Sequence, residues 1–236
     1  MPALNKIKTL SGSGDILGLI VGILVFGSIW GLVEAILGGA LHLIHFPYQG
    51  AIPGAIGMSI MATFVVIYRR PRLVLWTGVI AALFKLLSAA IYGQPVFAPF
   101  VVNPASAIIL EALAFTMVVS LLFEGFESSI RMRIGAGVAA GYLSIILYAI
   151  LASAVGMGKW ASLGISERVT TALTDGTALA VAGTALLFLG YLAGMRLRPR
   201  FWHLSSTKPS LFYASTTAAT VCCLIGATVV SAPGLW

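Results

Sequence analysis

Residues 16–39 have the sequence ILGLIVGILVFGSIWGLVEAILGG, an apolar run with one charge. A helix needs about 20 apolar residues to cross the hydrocarbon core of a bilayer. The run is also longer than the ~7–15 residues of the apolar region in a signal peptide. It therefore predicts an uncleaved first transmembrane helix, which follows the basic residues Lys6 and Lys8.

Similar apolar runs recur along the chain, and the composition agrees with them. Of the 236 residues, 59% are hydrophobic and 9% are charged, whereas a soluble domain has roughly 25% charged residues. The mean hydropathy is +1.03. We predict an all-α, polytopic membrane bundle that forms a single transmembrane domain over residues 1–236. The predicted spans are 16–39, 52–68, 73–91, 105–123, 134–156, 171–195 and 211–231.

The basic residues predict the orientation of the bundle. Most of the 14 Lys and Arg residues precede the first span or follow spans two, four and six, whereas Lys159 and Arg168 lie on the opposite side. Because cytoplasmic loops are enriched in Lys and Arg, we expect a cytoplasmic N-terminus and outward loops at 40–51, 92–104 and 157–170. The net charge of +7 then reflects topology and contacts with the lipid bilayer, and we predict no nucleic-acid partner.

Four charged side chains interrupt the predicted spans, and each lies about five or six residues from the outer face. They are Glu34, Lys85, Glu111 and Asp175. Charges within a membrane are costly and usually face the bundle interior, a partner charge or a ligand path. We therefore predict one shared pocket. Two alternatives stay open: Lys85 snorkels to the interface, and Asp175 interacts with the dipole of its own helix.

Aromatic and polar residues near these charges are further candidates. Trp30 precedes Glu34 by one helical turn, so it either stacks on a cationic or heteroaromatic ligand or packs in the interior. The outer loops add Tyr48, Tyr92 and Asn103. Aromatic residues are common at membrane interfaces without binding anything, and that interpretation also stays open.

The histidines of the first outward loop and the glycines of the first span give weaker predictions of function than the charged residues. His42 and His45 are three residues apart, but two ligands do not complete a metal site, so we predict neither a metal nor a cofactor.

Small residues at four-residue intervals let another helix approach closely. Such a row in the first span serves either internal packing or docking of a partner membrane subunit, and consists of Gly14, Gly18 and Gly22.

Three segments carry a family resemblance: residues 27–34 (GSIWGLVE), 81–87 (AALFKLL) and 103–111 (NPASAIILE). Over about residues 12–195, the chain resembles the substrate-binding (S) component of an energy-coupling factor transporter. The resemblance implies six helices, an outward pocket that captures a vitamin or metal ion, and closure by loops 1–2 and 3–4. It also implies docking on a transmembrane coupling subunit driven by two ATPases, in the inner (plasma) membrane of a prokaryote. An additional helix at 210–232, which would place the C-terminus outside, departs from the family. The N-terminus also lacks the His-rich opening of the nickel and cobalt members, which argues against those substrates.

Together these features predict a non-enzymatic component for uptake of a small, cationic or amphoteric solute. Glu34 and Glu111 would hold its cationic or hydrogen-bonding group, and Lys85 an acidic or carbonyl group. The aromatic residues that would stack on its ring are Trp30, Tyr48 and Tyr92. An enzyme is disfavoured because no intramembrane base lies beside a serine and no third metal ligand is present. The alternative is a structural or anchor subunit of a larger, redox- or quinone-type membrane complex.

Overall fold

The computed structural model describes residues 13–43, 48, 50–91, 95 and 97–230, with backbone only for a few residues at helix ends. Eight α-helices and no strand are present in these ranges. The helices are α1 (Ser13–Leu43), α2 (Ala51–Tyr68), α3 (Val74–Ile91), α4 (Pro99–Leu121), α5 (Phe123–Ser128), α6 (Ile130–Val155), α7 (Ile165–Thr207) and α8 (Pro209–Val230). Two short 3₁₀ turns, Pro71–Leu73 and Gly158–Ala161, lie in the connections.

The predicted all-α class is confirmed in the part of the chain that the structure describes. Six helices there, α1, α2, α4, α6, α7 and α8, are long and apolar enough to cross a membrane. This supports a multi-pass membrane protein. The third predicted span corresponds to α3, an 18-residue helix that is not among the six, so the count of seven spans stays a prediction. The orientation of the N-terminus also stays a prediction.

Helix α2 is the centre of the bundle. Of its residues 78% are buried, against 22% to 39% of the apolar stretches of the other five candidate spans. Helix α7 approaches it closely: Gly190 lies directly against the carbonyl group of Ser59, and the Thr63 hydroxyl donates a hydrogen bond to the Gly190 carbonyl at 2.9 Å. Small residues and interhelical hydrogen bonds are the usual means of helix association in membranes.

The contacts of α1 fix the relative directions of the first three helices. Gly22 lies beneath the Tyr68 ring at the end of α2, whereas Trp30 lies beside Gly57 nearer the start of α2. These two contacts make α1 and α2 antiparallel. Going along α1, Gly27 and Gly31 meet successively later residues of α3, so α1 and α3 are parallel.

Charged and aromatic contacts join four helices at the end of the bundle where α2 finishes. Arg69 forms an ion pair with Glu127 of α5. Arg133 of α6 donates a hydrogen bond to the Phe126 carbonyl at 2.8 Å, and its guanidinium carbon lies 4.0 Å from the ring centroid of Tyr191 in α7. The predicted basic connections after the second and fourth spans therefore meet at one end, which we call the basic end.

Helix α4 begins earlier than the sequence predicted. It starts at Pro99 and contains Pro104 in its interior, so the prediction of a loop over 92–104 is wrong for residues 99–104. Proline lacks a backbone N–H and commonly begins a helix, and two prolines made either position a plausible start. Pro99 occupies the first helical turn.

Helix α7 is far longer than its predicted span of 171–195. It has 43 residues, or roughly 65 Å at about 1.5 Å per residue, and continues through Pro199 to Thr207. The prediction of an outward loop over 157–170 is therefore wrong for residues 165–170, and the connection predicted between the sixth and seventh spans is helical over 196–207. Tertiary contacts explain the continuation: Trp202 donates a hydrogen bond from Nε1 to the Ile67 carbonyl at 3.2 Å, and the Phe201 ring lies 5.5 Å from that of Tyr68.

Helix α8 returns along the outside of α1 and α3. Phe84, Cys223 and Ala227 form a small apolar cluster, and Gly226 lies beside Leu32. The additional C-terminal helix predicted at 210–232 therefore exists as Pro209–Val230 and covers part of the α1–α3 surface.

Candidate functional site

The Trp30 side chain occupies a slot between α2 and α3, directly against Gly57 and beside Gly78. A Cβ atom added at Gly57 would lie 2.7 Å from Cε2 of the indole, and one added at Gly78 would lie 3.4 Å from Cζ3. Trp30 is completely buried. Its Nε1 donates a hydrogen bond to Oε1 of Glu34 at 3.3 Å. The slot therefore fixes the indole, and the indole orients the Glu34 carboxyl group.

Glu111 reaches the same part of the bundle from α4. A Cβ atom added at Gly54 would lie 2.7 Å from Glu111 Oε1 and 3.0 Å from Leu179 Cδ1, so the carboxyl group lies against the backbone of α2. Glu111 is 8% exposed. Its Oε2 atom is buried and receives no hydrogen bond from any residue that the structure describes. Buried polar atoms of this kind are uncommon in folded proteins.

The two carboxyl groups and Lys85 occupy one electrostatic neighbourhood. Glu34 interacts electrostatically with Lys85, and Glu111 interacts with Glu34. The helix contacts agree, because Glu34 follows Trp30 by one turn and Gly54 precedes Gly57 by about one turn, towards the same end of the bundle. Three of the four predicted charges therefore lie in one neighbourhood, in which Glu111 lies against α2 and Lys85 interacts with Glu34.

The fourth predicted charge, Asp175, has a different environment. Its carboxylate accepts a hydrogen bond from Lys159 Nζ at 3.1 Å, and the Asp175 side chain is 29% exposed. Asp175 precedes Leu179 by one turn, so it lies about 6 Å farther towards the end of the bundle. A structural role in joining α7 to the preceding 3₁₀ turn accounts for this residue.

The burial of Trp30 distinguishes between the two roles that the sequence left open for it, stacking on a ligand and packing in the bundle interior. With Gly57 on one side and Gly78 on the other, the indole has no exposed surface. In this conformation it does not offer a face for stacking, and the interior-packing alternative describes it. Its contribution to a site is the hydrogen bond to Glu34.

The remaining candidates lie nearer the end of the bundle opposite the basic end. Tyr48 is exposed, and its carbonyl accepts a hydrogen bond from the backbone N–H of Ala51 at 3.0 Å. Asn103 lies within α4, and its amide nitrogen would be 3.2 Å from a Cβ atom at Gly158. Tyr92, His45 and the side chain of His42 lie outside the described residues.

The glycine row of α1 divides between packing and exposure. Tyr68 fills the space beside Gly22, and its hydroxyl donates a hydrogen bond to the Gly18 carbonyl at 3.3 Å. The Cβ position of Gly18 is open. Gly14 is helical, but its surroundings are not described. Gly22 therefore serves internal packing, and any docking surface on this row is centred nearer Gly18.

Sequence reasoning missed the two glycines of α2 that receive the site residues. Gly54 and Gly57 are three residues apart in an apolar span, and such spacing marks a helix face that a neighbour can approach closely. That signal was present in the sequence, but it does not say which side chains lie against the glycines.

Within the described residues, no group of three or more His, Cys, Asp or Glu side chains could hold a metal ion. The candidate site consists of Glu34, Lys85 and Glu111, and Trp30, Gly54 and Gly57 lie directly against its carboxyl-bearing side chains or beside them. No protein-family model, curated protein or solved structure matches the chain.

Proposed function

We propose that the protein captures a small solute with a cationic or hydrogen-bond-donating group. The observation that carries the proposal is the buried Oε2 atom of Glu111, which has no hydrogen-bond donor among the described residues. Leaving such an atom unpaired costs roughly 1–3 kcal/mol. An N–H or ammonium group of a bound solute would satisfy it.

The neighbouring charges extend this assignment to an amphoteric solute. Glu34 and Glu111 bring two carboxyl groups beside one ammonium group, so the site is formally acidic when all three are ionised. The carboxyl groups bind the donor end of the solute, and Lys85 binds its carboxylate or carbonyl end. Trp30 keeps Glu34 in place, because its Nε1 hydrogen-bonds to that carboxyl group.

Uptake, rather than catalysis, is the proposed role. The helices have the length and composition of membrane spans, and the resemblance to substrate-binding components supports a coupling subunit and ATPases as partners in a prokaryotic inner membrane. The chain has no G-x-x-x-x-G-K-[ST] phosphate loop, so nucleotide would be bound by those partners. The open position at Gly18 is where we place contact with the coupling subunit.

The test is identification by mass spectrometry of small molecules that the protein retains when it is purified from its native membrane. We expect the wild type to retain one solute and Glu34→Gln, Glu111→Gln and Lys85→Met to lose it. Glu167→Gln is the control, because Glu167 only caps its own helix, accepting a hydrogen bond from the Gly164 N–H at 2.9 Å. Equal retention by the three site variants and the wild type would show that the site is assigned wrongly.

The second candidate is a structural or anchor subunit of a larger membrane complex. The dense packing of Trp30 between Gly57 and Gly78 favours it, since close packing is what a structural helix junction requires. In that case the charges serve assembly. The same purification would then yield no small molecule and a co-purifying membrane complex, whose absorbance spectrum would reveal a redox group.

A further inference from the structure

A groove runs between α6 and the beginning of α7, and none of its lining residues belongs to the glutamate site. Its volume is about 500 Å³, and it is a shallow depression that is open along most of its length. The apolar lining includes Ala149, Ile150, Val169 and Ala172, and its polar members are Ser153 and Arg168.

The groove opens sideways on the outer surface of the helix bundle. Ile150 is 63% exposed and Val169 is 55% exposed, and α6 is long and apolar enough to span the bilayer. Arg168 lies in the first turn of α7, which begins at Ile165, and α7 is also a candidate membrane span. The groove therefore extends from the cationic side chain of Arg168 along the apolar surfaces of two candidate membrane spans.

Arg168 has unused hydrogen-bonding capacity at the head of this groove. Its Nε atom is buried without a hydrogen-bond partner among the described residues. Arg168 takes no part in the ion pairs Arg69–Glu127 and Lys159–Asp175. The two acidic residues nearest in sequence on α7 are engaged elsewhere: Glu167 accepts a hydrogen bond from the Gly164 N–H, and Asp175 pairs with Lys159.

We propose that this groove binds one anionic phospholipid, with its phosphate at Arg168 and an acyl chain along the apolar lining. A guanidinium group makes strong, often bidentate hydrogen bonds to phosphate. Basic positions between transmembrane helices bind anionic headgroups in the same way. The apolar lining and the lateral opening favour a lipid over a soluble anion. The acyl chain of a lipid would contact the apolar lining, whereas a soluble phosphate would contact only Arg168.

The test reconstitutes the full chain into phosphatidylcholine nanodiscs that contain a minor fraction of phosphatidylglycerol, and measures lipid that remains bound after detergent extraction by native mass spectrometry. We expect the wild type to retain phosphatidylglycerol in preference to phosphatidylcholine. Arg168→Gln should reduce that retention roughly tenfold or more, as expected for loss of a charge-assisted hydrogen bond. Ala172→Leu, which narrows the groove and keeps the charge, should also reduce it.

Lys159→Gln is the matched control, because it removes a cation at the same end of the bundle that is paired with Asp175 and does not line the groove. It should retain phosphatidylglycerol as the wild type does. Equal retention by Arg168→Gln and the wild type would overturn the proposal, as would equal loss in Lys159→Gln. Displacement of the lipid by glycerol phosphate at similar concentration would also overturn it, because the ligand would then be a soluble anion. Circular dichroism of each variant establishes that the helices are intact.

Discussion

Replacing Gly57 by alanine tests the slot that holds Trp30. The added Cβ atom would lie 2.7 Å from Cε2 and 2.8 Å from Nε1 of the indole, whereas carbon atoms in favourable contact are about 3.5–4.0 Å apart. The overlap is therefore about 1 Å. The indole cannot retreat freely, because it is completely buried and its Cζ3 atom already lies beside Gly78. Overpacking of a filled core costs about 1–3 kcal/mol.

Thermal unfolding of the purified protein in detergent measures this cost. For a chain of this length, 1 kcal/mol lowers Tm by roughly 2–4 °C, so Gly57→Ala should lower Tm by roughly 2–12 °C. The matched control is Gly18→Ala, because nothing lies within 4 Å of the Cβ position there. If Gly57→Ala and Gly18→Ala both have the Tm of the wild type, Trp30 does not occupy the slot between α2 and α3. The argument that Trp30 positions Glu34 would then be wrong.

Three further substitutions test the other contacts, each by the same Tm measurement. Thr63→Val removes the hydroxyl that donates a hydrogen bond from α2 to α7 at 2.9 Å. The stability should decrease by about 0.6–1.7 kcal/mol, as measured for interhelical hydrogen bonds in membranes. An unchanged Tm would show that this hydroxyl does not join the two helices. Asp175→Asn breaks a partly exposed pair with Lys159 and should cost less than about 1 kcal/mol, so a larger loss would mean a buried role. Arg69→Gln removes a half-exposed partner of Glu127 and should also cost less than about 1 kcal/mol, decreasing further at high salt; an effect that persists in salt would contradict this.

The helices could be predicted from the sequence because their cause is local. Apolar runs long enough to span a bilayer must be helical, since backbone groups in hydrocarbon need internal hydrogen bonds. The ends were less predictable because tertiary contacts decide them. Helix α7 continues past Arg196 because Trp202 hydrogen-bonds to the end of α2, and no pattern within residues 196–207 contains that information.

The candidate site was predictable in part for a similar reason. Charges in apolar spans are rare enough that Glu34, Lys85 and Glu111 stand out individually, and equal depth predicted that they lie together. Depth does not give the rotation of a helix, which decides whether a side chain faces the core. Asp175 has almost the same predicted depth, yet its carboxylate is bound by Lys159, a contact that depends on how the preceding connection folds.

The central claim is that Glu34 and Glu111 hold one solute jointly. Its most direct test is the Kd of the co-purified solute for the wild type, Glu34→Gln, Glu111→Gln and the double variant. A hydrogen bond to a charged group contributes about 1.5–3 kcal/mol, so each single substitution should raise Kd roughly 10- to 150-fold. The loss of binding free energy in the double variant should be smaller than the sum of the losses in the two single variants. Neighbouring groups that bind the same ligand are coupled, so their contributions are not additive. Wild-type Kd values in both single variants would contradict the account.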